Sequence, residues 1–156
     1  MKFKYLLLLF VLMGCWFTIN GLAQASTFSK EYFYNVDVTS VYDGDTLTVE
    51  TEIWPQHTVK TNIRMYGIDT PEKTWRGKCD KEKALALEAR NYLIGVIERA
   101  KASNEQIYIT KIKYDKYARR FVAVLMIGNK NVSQMMINSG YAVEYYGKGT
   151  KKDWCL

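Results

Sequence analysis

A small α+β domain, mainly β, with five strands curled into a barrel and one long and one short helix, is the fold this sequence predicts. Two observations carry the prediction. Short runs rich in Val, Tyr and Thr alternate apolar with polar residues, the period of half-buried strands. One stretch, Lys81 to Ala102, instead repeats apolar residues at three- and four-residue steps, with charges on its other face. No internal repeat, Pro-rich linker or low-complexity segment marks a second domain.

The elements follow in order. Lys2 and Lys4 precede an unbroken apolar run from Tyr5 to Met13, and Ala23-Gln24-Ala25 ends the segment. A positive head, a short apolar middle and an A-x-A end predict a signal peptide over residues 1–25, cut after Ala25, with one domain over 26–156. The run is short for a membrane span. An uncleaved anchor is one alternative. A lipoprotein is another, because Leu12-Met13-Gly14-Cys15 approaches a lipobox; Trp16 and Phe17 then stand where a polar tether belongs. Tyr32, Tyr34, Val36 and Val38 alternate as a first strand, and Thr46 to Ile53 as a second. Asp43-Gly44-Asp45 reads as the turn between them, Asp and Gly tolerating the positive φ of tight turns. A third strand runs from about Val59 to Tyr66 and stops at Thr70-Pro71. After the long helix, strands return at Gln106 to Lys113 and Arg120 to Ile127, with Gly128-Asn129 as a turn. A short helix from Val132 to Ser139 stops at Gly140. Five strands with a helix between the third and fourth match the order of an OB-fold, a Greek-key barrel whose usual partners are oligonucleotides and oligosaccharides. The fold alone does not fix function.

Composition narrows the partners. The net charge is +6 over 156 residues, and loss of Lys2 and Lys4 with the leader makes it +4. A mild excess of this kind suits a polyanion without requiring one. Of three cysteines, Cys15 leaves with the leader, so Cys79 and Cys155 remain as a pair for a disulfide in an oxidising compartment. Two cysteines and the single His57 exclude a zinc site of the usual kind. His57 reads as an ordinary polar residue near a strand start.

Three clusters carry candidate chemistry. Asp43-Gly44-Asp45-Thr46 sits at the first turn, and Arg64 lies in the third strand, followed by Ile68-Asp69-Thr70-Pro71-Glu72. Asp115-Lys116-Tyr117-Ala118-Arg119-Arg120 joins the last two strands. Singly, each is ordinary: a turn, a loop start with a capping Asp, a solvated hairpin tip. Neither acidic cluster has EF-hand spacing. Arg64 is the exception, because a guanidinium among apolar strand neighbours is costly unless an anion meets it.

V-Y-D-G-D-T at residues 41–46, R-M-Y-G-I-D-T-P-E at 64–72 and D-K-Y-A-R at 115–119 resemble the signature segments of the staphylococcal nuclease (thermonuclease) family, in the family's order and at similar separations. The similarity extends from about Val36 to Tyr146. It implies a calcium-dependent endonuclease that hydrolyses DNA and RNA with little sequence specificity and leaves 3′-phosphate ends. By the same resemblance Asp45 and Asp69 are calcium carboxylates, and Thr70 supplies a backbone carbonyl. Glu72 activates the attacking water. Arg64 and Arg119 grip the scissile phosphate, Lys116 and Tyr117 contact a neighbouring one, and Tyr146 stacks against a base. Asp43 and Thr46 support the site from behind. The roles suit the residue types: calcium collects hard oxygen ligands, and guanidinium holds phosphate bidentately.

The chain departs from the family at three places. Ala118 stands where a Gly is usual, so Arg119 is in question and Arg120 becomes a possible substitute. The loop from Lys73 to Lys81 is basic and contains Trp75, Arg76 and Cys79, unlike that of the type member. The chain ends soon after Tyr146, without the type member's final helix, and a Cys79–Cys155 bond would pin the tail in its place. A non-catalytic OB-fold nucleic-acid-binding module is the competing expectation, but such a module would lack one of the matched residues. An oligosaccharide-binding domain leaves Arg64, Arg119 and the paired aspartates unexplained. A monomer is expected, with DNA and RNA as partners and membrane attachment only through lipid on Cys15.

Overall fold

The computed structural model describes residues 32–117 and 119–156. The expected signal peptide, Cys15 and Ala118 lie outside the described residues, which fall in one compact unit, Glu31–Leu156. The strands are β1 (Phe33–Asn35), β2 (Asp37–Val41), β3 (Thr46–Trp54), β4 (His57–Met65), β5 (Ile68–Asp69), β6 (Ile107–Tyr114), β7 (Arg120–Ile127), β8 (Lys130–Asn131) and β9 (Val143–Glu144). The helices are α1 (Asp80–Ala102) and α2 (Val132–Asn138). The α+β, mainly β fold and both helices match the sequence expectation; β5, β8 and β9 are two-residue strands that periodicity cannot signal.

The main sheet runs β1-β6-β7-β4-β3-β2, with β8 on β7. Hydrogen bonding does not close this path into a barrel. Its two end strands are nevertheless successive stretches of one segment, separated by Val36, whose N–H donates to the Ile107 carbonyl at 3.0 Å. The β3–β4 hairpin pairs Thr46 with Arg64 and Leu47 with Ile63, and β4 runs parallel to β7 with Arg64 beside Val122. Strand alternation therefore sends Leu47, Val49, Ile63, Met65 and Ala123 inward, where all are buried, and leaves Arg64 on the opposite face.

Helix α1 covers the inner face. Ala86, Ala89, Leu93, Val96, Ile97 and Ala100 recur at helical spacing and are buried, and full burial of Leu93 contributes about 1.5–3 kcal/mol. Asp80 and Glu82 in the first turn and Arg99 and Lys101 in the last complement the helix dipole. The small alanines allow close approach. A Cβ on Gly44 would come within 3.0 Å of the Ala89 Cβ and 2.9 Å of the Thr70 Cγ2. The expected turn at Asp43-Gly44-Asp45 is present, closed by the Tyr42 N–H on the Thr46 carbonyl at 2.8 Å. Its physical reason differs from the expected one. None of the three residues has positive φ, and Gly44 is there because helix and loop leave no room for a side chain.

Candidate active site

Arg64 is the centre of the site. Its Nη1 donates to Asp45 Oδ1 at 2.9 Å, while Nη2 lies 2.8 Å from Asp45 Oδ2 and 3.5 Å from Asp69 Oδ1. The two carboxylates come from segments distant in sequence. Asp45 immediately precedes β3 and is fixed by its own carbonyl, which accepts the Met65 N–H at 2.8 Å. Asp69 ends β5, which is held by pairing with β9. Both aspartates are only 2% exposed. Asp43 Oδ1 accepts the Asp45 N–H at 3.2 Å and Thr46 Oγ1 donates to Asp45 Oδ1 at 2.8 Å, so both expected supporting residues touch Asp45.

This crowding moves the titrations. Burial pushes the Asp45 carboxyl up to about 7; the Arg64 charge opposes the shift, Asp43 and Asp69 reinforce it and the Thr46 hydrogen bond opposes it. Burial works against the Arg64 charge as well, but Asp45 and Asp69 outweigh it and raise the guanidinium above its ordinary value.

Glu72 follows at the site's edge. Its Oε1 lies 3.2 Å from the Lys151 Nζ, which also sits 2.6 Å from Asp69 Oδ1. Lys151 belongs to the tail, and three contacts fix that tail. Cys155 is bonded to Cys79, Trp154 is buried, and Lys81 Nζ donates to the Leu156 carbonyl at 2.6 Å. Burial opposes the Lys151 charge, yet the bond to Asp69 and the two carboxylate charges win and raise its pKa. Nothing in the sequence singled out Lys151 from its basic stretch. Pairing Cys155 with Cys79 was the available signal, since it carries the tail to the loop after Glu72.

A cleft of about 440 Å³ opens over this cluster, walled by Arg64, Glu72, Lys116, Tyr117, Arg120 and Tyr146 among others. The expected Lys116, Tyr117 and Tyr146 thus share the cleft with Arg64 and Glu72. Tyr146 meets Tyr66 edge-on at 5.6 Å and lies over Gly67, where a Cβ would come within 3.1 Å of its ring. With φ at 84°, Gly67 answers both a backbone and a space requirement.

The two neighbouring arginines differ. Arg120 Nε is 2.5 Å from Asp115 Oδ2, and its guanidinium lies 4.9 Å from the Tyr117 ring centroid. Burial opposes ionisation of Asp115, but the hydrogen bond and charge of Arg120 hold its carboxyl below the ordinary value. Arg119 is exposed, lies outside the cleft wall and has no ion pair among the described residues. Its φ is 63°, so a left-handed backbone occurs at Arg119 itself.

The donor chemistry fits a hard cation. Asp69 Oδ1 is buried and meets only cations, the Lys151 ammonium at 2.6 Å and the Arg64 guanidinium at 3.5 Å. Among the described residues no three His, Cys, Asp or Glu side chains form a ready metal cluster. Asp45 and Asp69 present carboxylate oxygens, the donor type that hard cations such as calcium collect.

Fold and site together define a small, mainly β domain of staphylococcal nuclease type, with a buried acid–arginine cluster under a basic cleft. Residues 62–156 match the family described as staphylococcal nuclease homologue, and the chain belongs to that family. The matched segment holds Arg64, Asp69, Glu72 and Arg119; Asp45 precedes it. The chain is 36% identical over 101 residues to the probable endonuclease LCL3 of Candida tropicalis, across 59% of this chain and 40% of that protein. It is 33% identical over 106 residues to the probable endonuclease C19F8.04c of Schizosaccharomyces pombe, across 61% of this chain and 43% of that protein. The chain therefore spans about two fifths of the length of these curated relatives.

Proposed function

We propose that this chain is a calcium-dependent phosphodiesterase that cuts DNA and RNA endonucleolytically with little sequence preference and leaves 3′-phosphate ends. One observation carries the reading: a single guanidinium, Arg64, bridges two buried aspartates at the base of a cationic cleft, with Glu72 beside them. Relatives named as probable endonucleases support it.

Asp45, Asp69 and the Thr70 carbonyl would hold the ion. When bound, calcium supplies a Lewis acid and a more acidic water. Glu72, whose Oε1 faces Lys151, accepts the proton of the attacking water at its carboxylate. Arg64 hydrogen-bonds the non-bridging phosphate oxygens and offsets the charge that builds there. Arg119, which no carboxylate engages among the described residues, is free to supply the second guanidinium, whereas Arg120 is tied to Asp115. Lys116 and Tyr117 hold the next phosphate, and Tyr146 stacks on a base. Phosphate contacts and stacking carry little sequence information, which accounts for broad substrate acceptance. Secretion or periplasmic release after cleavage at Ala25, as a monomer, completes the reading; the Cys79–Cys155 bond supports it, because such bonds persist in oxidising compartments.

Three outcomes follow from the arginine and lysine geometry. Arg119→Ala is expected to lower kcat by about 10²-fold or more with little change in stability. Arg120→Ala is expected to cost about 1 kcal/mol in urea unfolding, because it leaves Asp115 only the backbone N–H groups of Lys116 and Tyr117. Equal kinetic losses in both variants would contradict this division. Lys151 contacts the same Asp69 oxygen an ion needs, so Lys151→Met is expected to tighten calcium binding about tenfold in calorimetry. Unchanged or weaker binding would show that the ammonium does not compete.

The test of the reading is degradation of plasmid, single-stranded DNA and RNA by the chain lacking residues 1–25, with calcium and then with chelator. Loss of all three cleavages in chelator, with products that phosphatase treatment alters at their 3′ ends, is expected. Binding without cleavage in any metal would leave only a nucleic-acid-binding module.

A further inference from the structure

The loop between Glu72 and Cys79 is unusually well held for a surface segment. Glu82, on the first turn of α1 and only 4% exposed, stakes both ends. Its Oε1 accepts the Glu72 N–H at 3.2 Å and its Oε2 accepts the Lys78 N–H at 2.7 Å. The ends touch so closely that a Cβ on Gly77 would lie 2.6 Å from the Glu72 carbonyl oxygen. Cys79 then ties the loop's exit covalently to Cys155.

What this frame presents is an indole. Thr74–Arg76 form a single 3₁₀ turn with no buried residue, and Trp75 is 83% exposed. Thr74 has φ of 61°, which is costly for a β-branched residue and persists only where the surroundings impose it. Left slack, a loop of this length would fold its Trp onto the surface to remove the ring from water. The clamps at both ends hold it out instead.

The chemistry around the ring selects its partner. Lys73, Arg76 and Lys78 flank Trp75, and no acidic residue occurs from Lys73 to Cys79. Lys73 Nζ sits 3.5 Å from the centroid of the half-exposed Tyr42 ring, and the Arg76 guanidinium lies 5.0 Å from the Trp75 ring. Arg76 also lines the cleft that contains Arg64 and Glu72, so the two surfaces are continuous. Aromatic faces interleaved with cations are the composition that binds single strands, bases stacking while phosphates meet the cations.

We propose that the 73–78 loop is a second nucleic-acid subsite, in which Trp75 stacks a base of a single strand continuing out of the cleft while Lys73, Arg76 and Lys78 meet its phosphates. The proposal rests on the phosphodiesterase reading of the cleft and adds a preference for longer, unpaired substrates.

Binding is measured in chelator, so cleavage plays no part, using a thymidine trinucleotide and an oligothymidylate of about twelve nucleotides. Trp75→Ala is expected to weaken the longer strand about tenfold and the trinucleotide little; Trp75→Phe retains most of the affinity. The longer strand quenches tryptophan fluorescence in the wild type, and this quenching is lost in Trp75→Phe. Wild-type affinity of Trp75→Ala for the longer strand overturns the proposal. So does an equal loss for both lengths, or a defect confined to anionic phosphatidylglycerol vesicles. A wild type that binds by this loop but never cleaves in calcium overturns the catalytic reading and leaves the subsite standing.

Discussion

Arg64→Ala is expected to lower kcat at least about 10²-fold and to destabilise the calcium-free protein by about 3 kcal/mol. The two losses share one origin. The side chain is the bidentate partner of Asp45 and the nearer guanidinium of Asp69, both almost wholly buried. Its removal leaves two carboxylates in low dielectric with Lys151 as the closest remaining ammonium. Calcium would supply the missing positive charge. Its addition is therefore expected to recover most of the stability in thermal unfolding and none of the rate, because the ion cannot replace hydrogen bonds to the phosphate.

The deficit also depends on pH, with a definite sign. The Asp45 carboxyl titrates at about 7 in the folded protein, above its ordinary value near 4. A raised folded pKa means that burial is harmless below about pH 4 and penalised increasingly as pH rises through 7. Without Arg64 the main opposing influence disappears and the folded pKa climbs further. The variant's deficit from this source is then small up to about pH 7 and complete only above the variant's own, higher folded pKa. A deficit that grows toward acid would contradict the burial of Asp45.

Removing the Cys79–Cys155 bond is the second large effect. It links residues 76 apart, and closing a loop of that size in the unfolded chain is worth about 4 kcal/mol in the chain-entropy model. Cys79→Ser/Cys155→Ser, or reduction of the native protein, is expected to lower Tm by roughly 10 °C or more. The folded state loses local order too. The tail carrying Trp154 and Lys151 and the loop carrying Trp75 are joined through this bond. Denaturation midpoints that are the same with and without reductant would show that the cysteines are unpaired in the native protein.

Much of this was legible in the sequence, for identifiable reasons. Helix α1 declared itself by period because one stripe faces the sheet, although Leu85 proved only half-buried and Leu93 is the residue at the centre. Arg64 was visible because a charge inside an apolar strand demands a partner, and the partners are Asp45 and Asp69. The cysteine pair followed from an odd count and the expectation of export. Other features were hidden by their ordinary appearance. Lys151 looks like any lysine in a solvated tail until the bond at Cys155 fixes where that tail runs. Gly44 looked like a turn glycine, and only the packing of Thr70 and Ala89 shows that space decides it. Glu82 is legible in principle: it lies four residues before Ala86 on the apolar stripe, and a carboxylate there must find buried donors.

The most direct measurement is cleavage of a short single-stranded oligonucleotide by Glu72→Gln beside the wild type, in saturating calcium with enzyme in excess. The substitution keeps the side chain's shape and removes its capacity to take a proton. A fall of about 10²-fold or more in the single-turnover rate is expected, with oligonucleotide affinity and calcium binding close to wild type. Cleavage at the wild-type rate would contradict the assignment of Glu72 as the proton acceptor, and with it the mechanism built around Arg64 and the two aspartates.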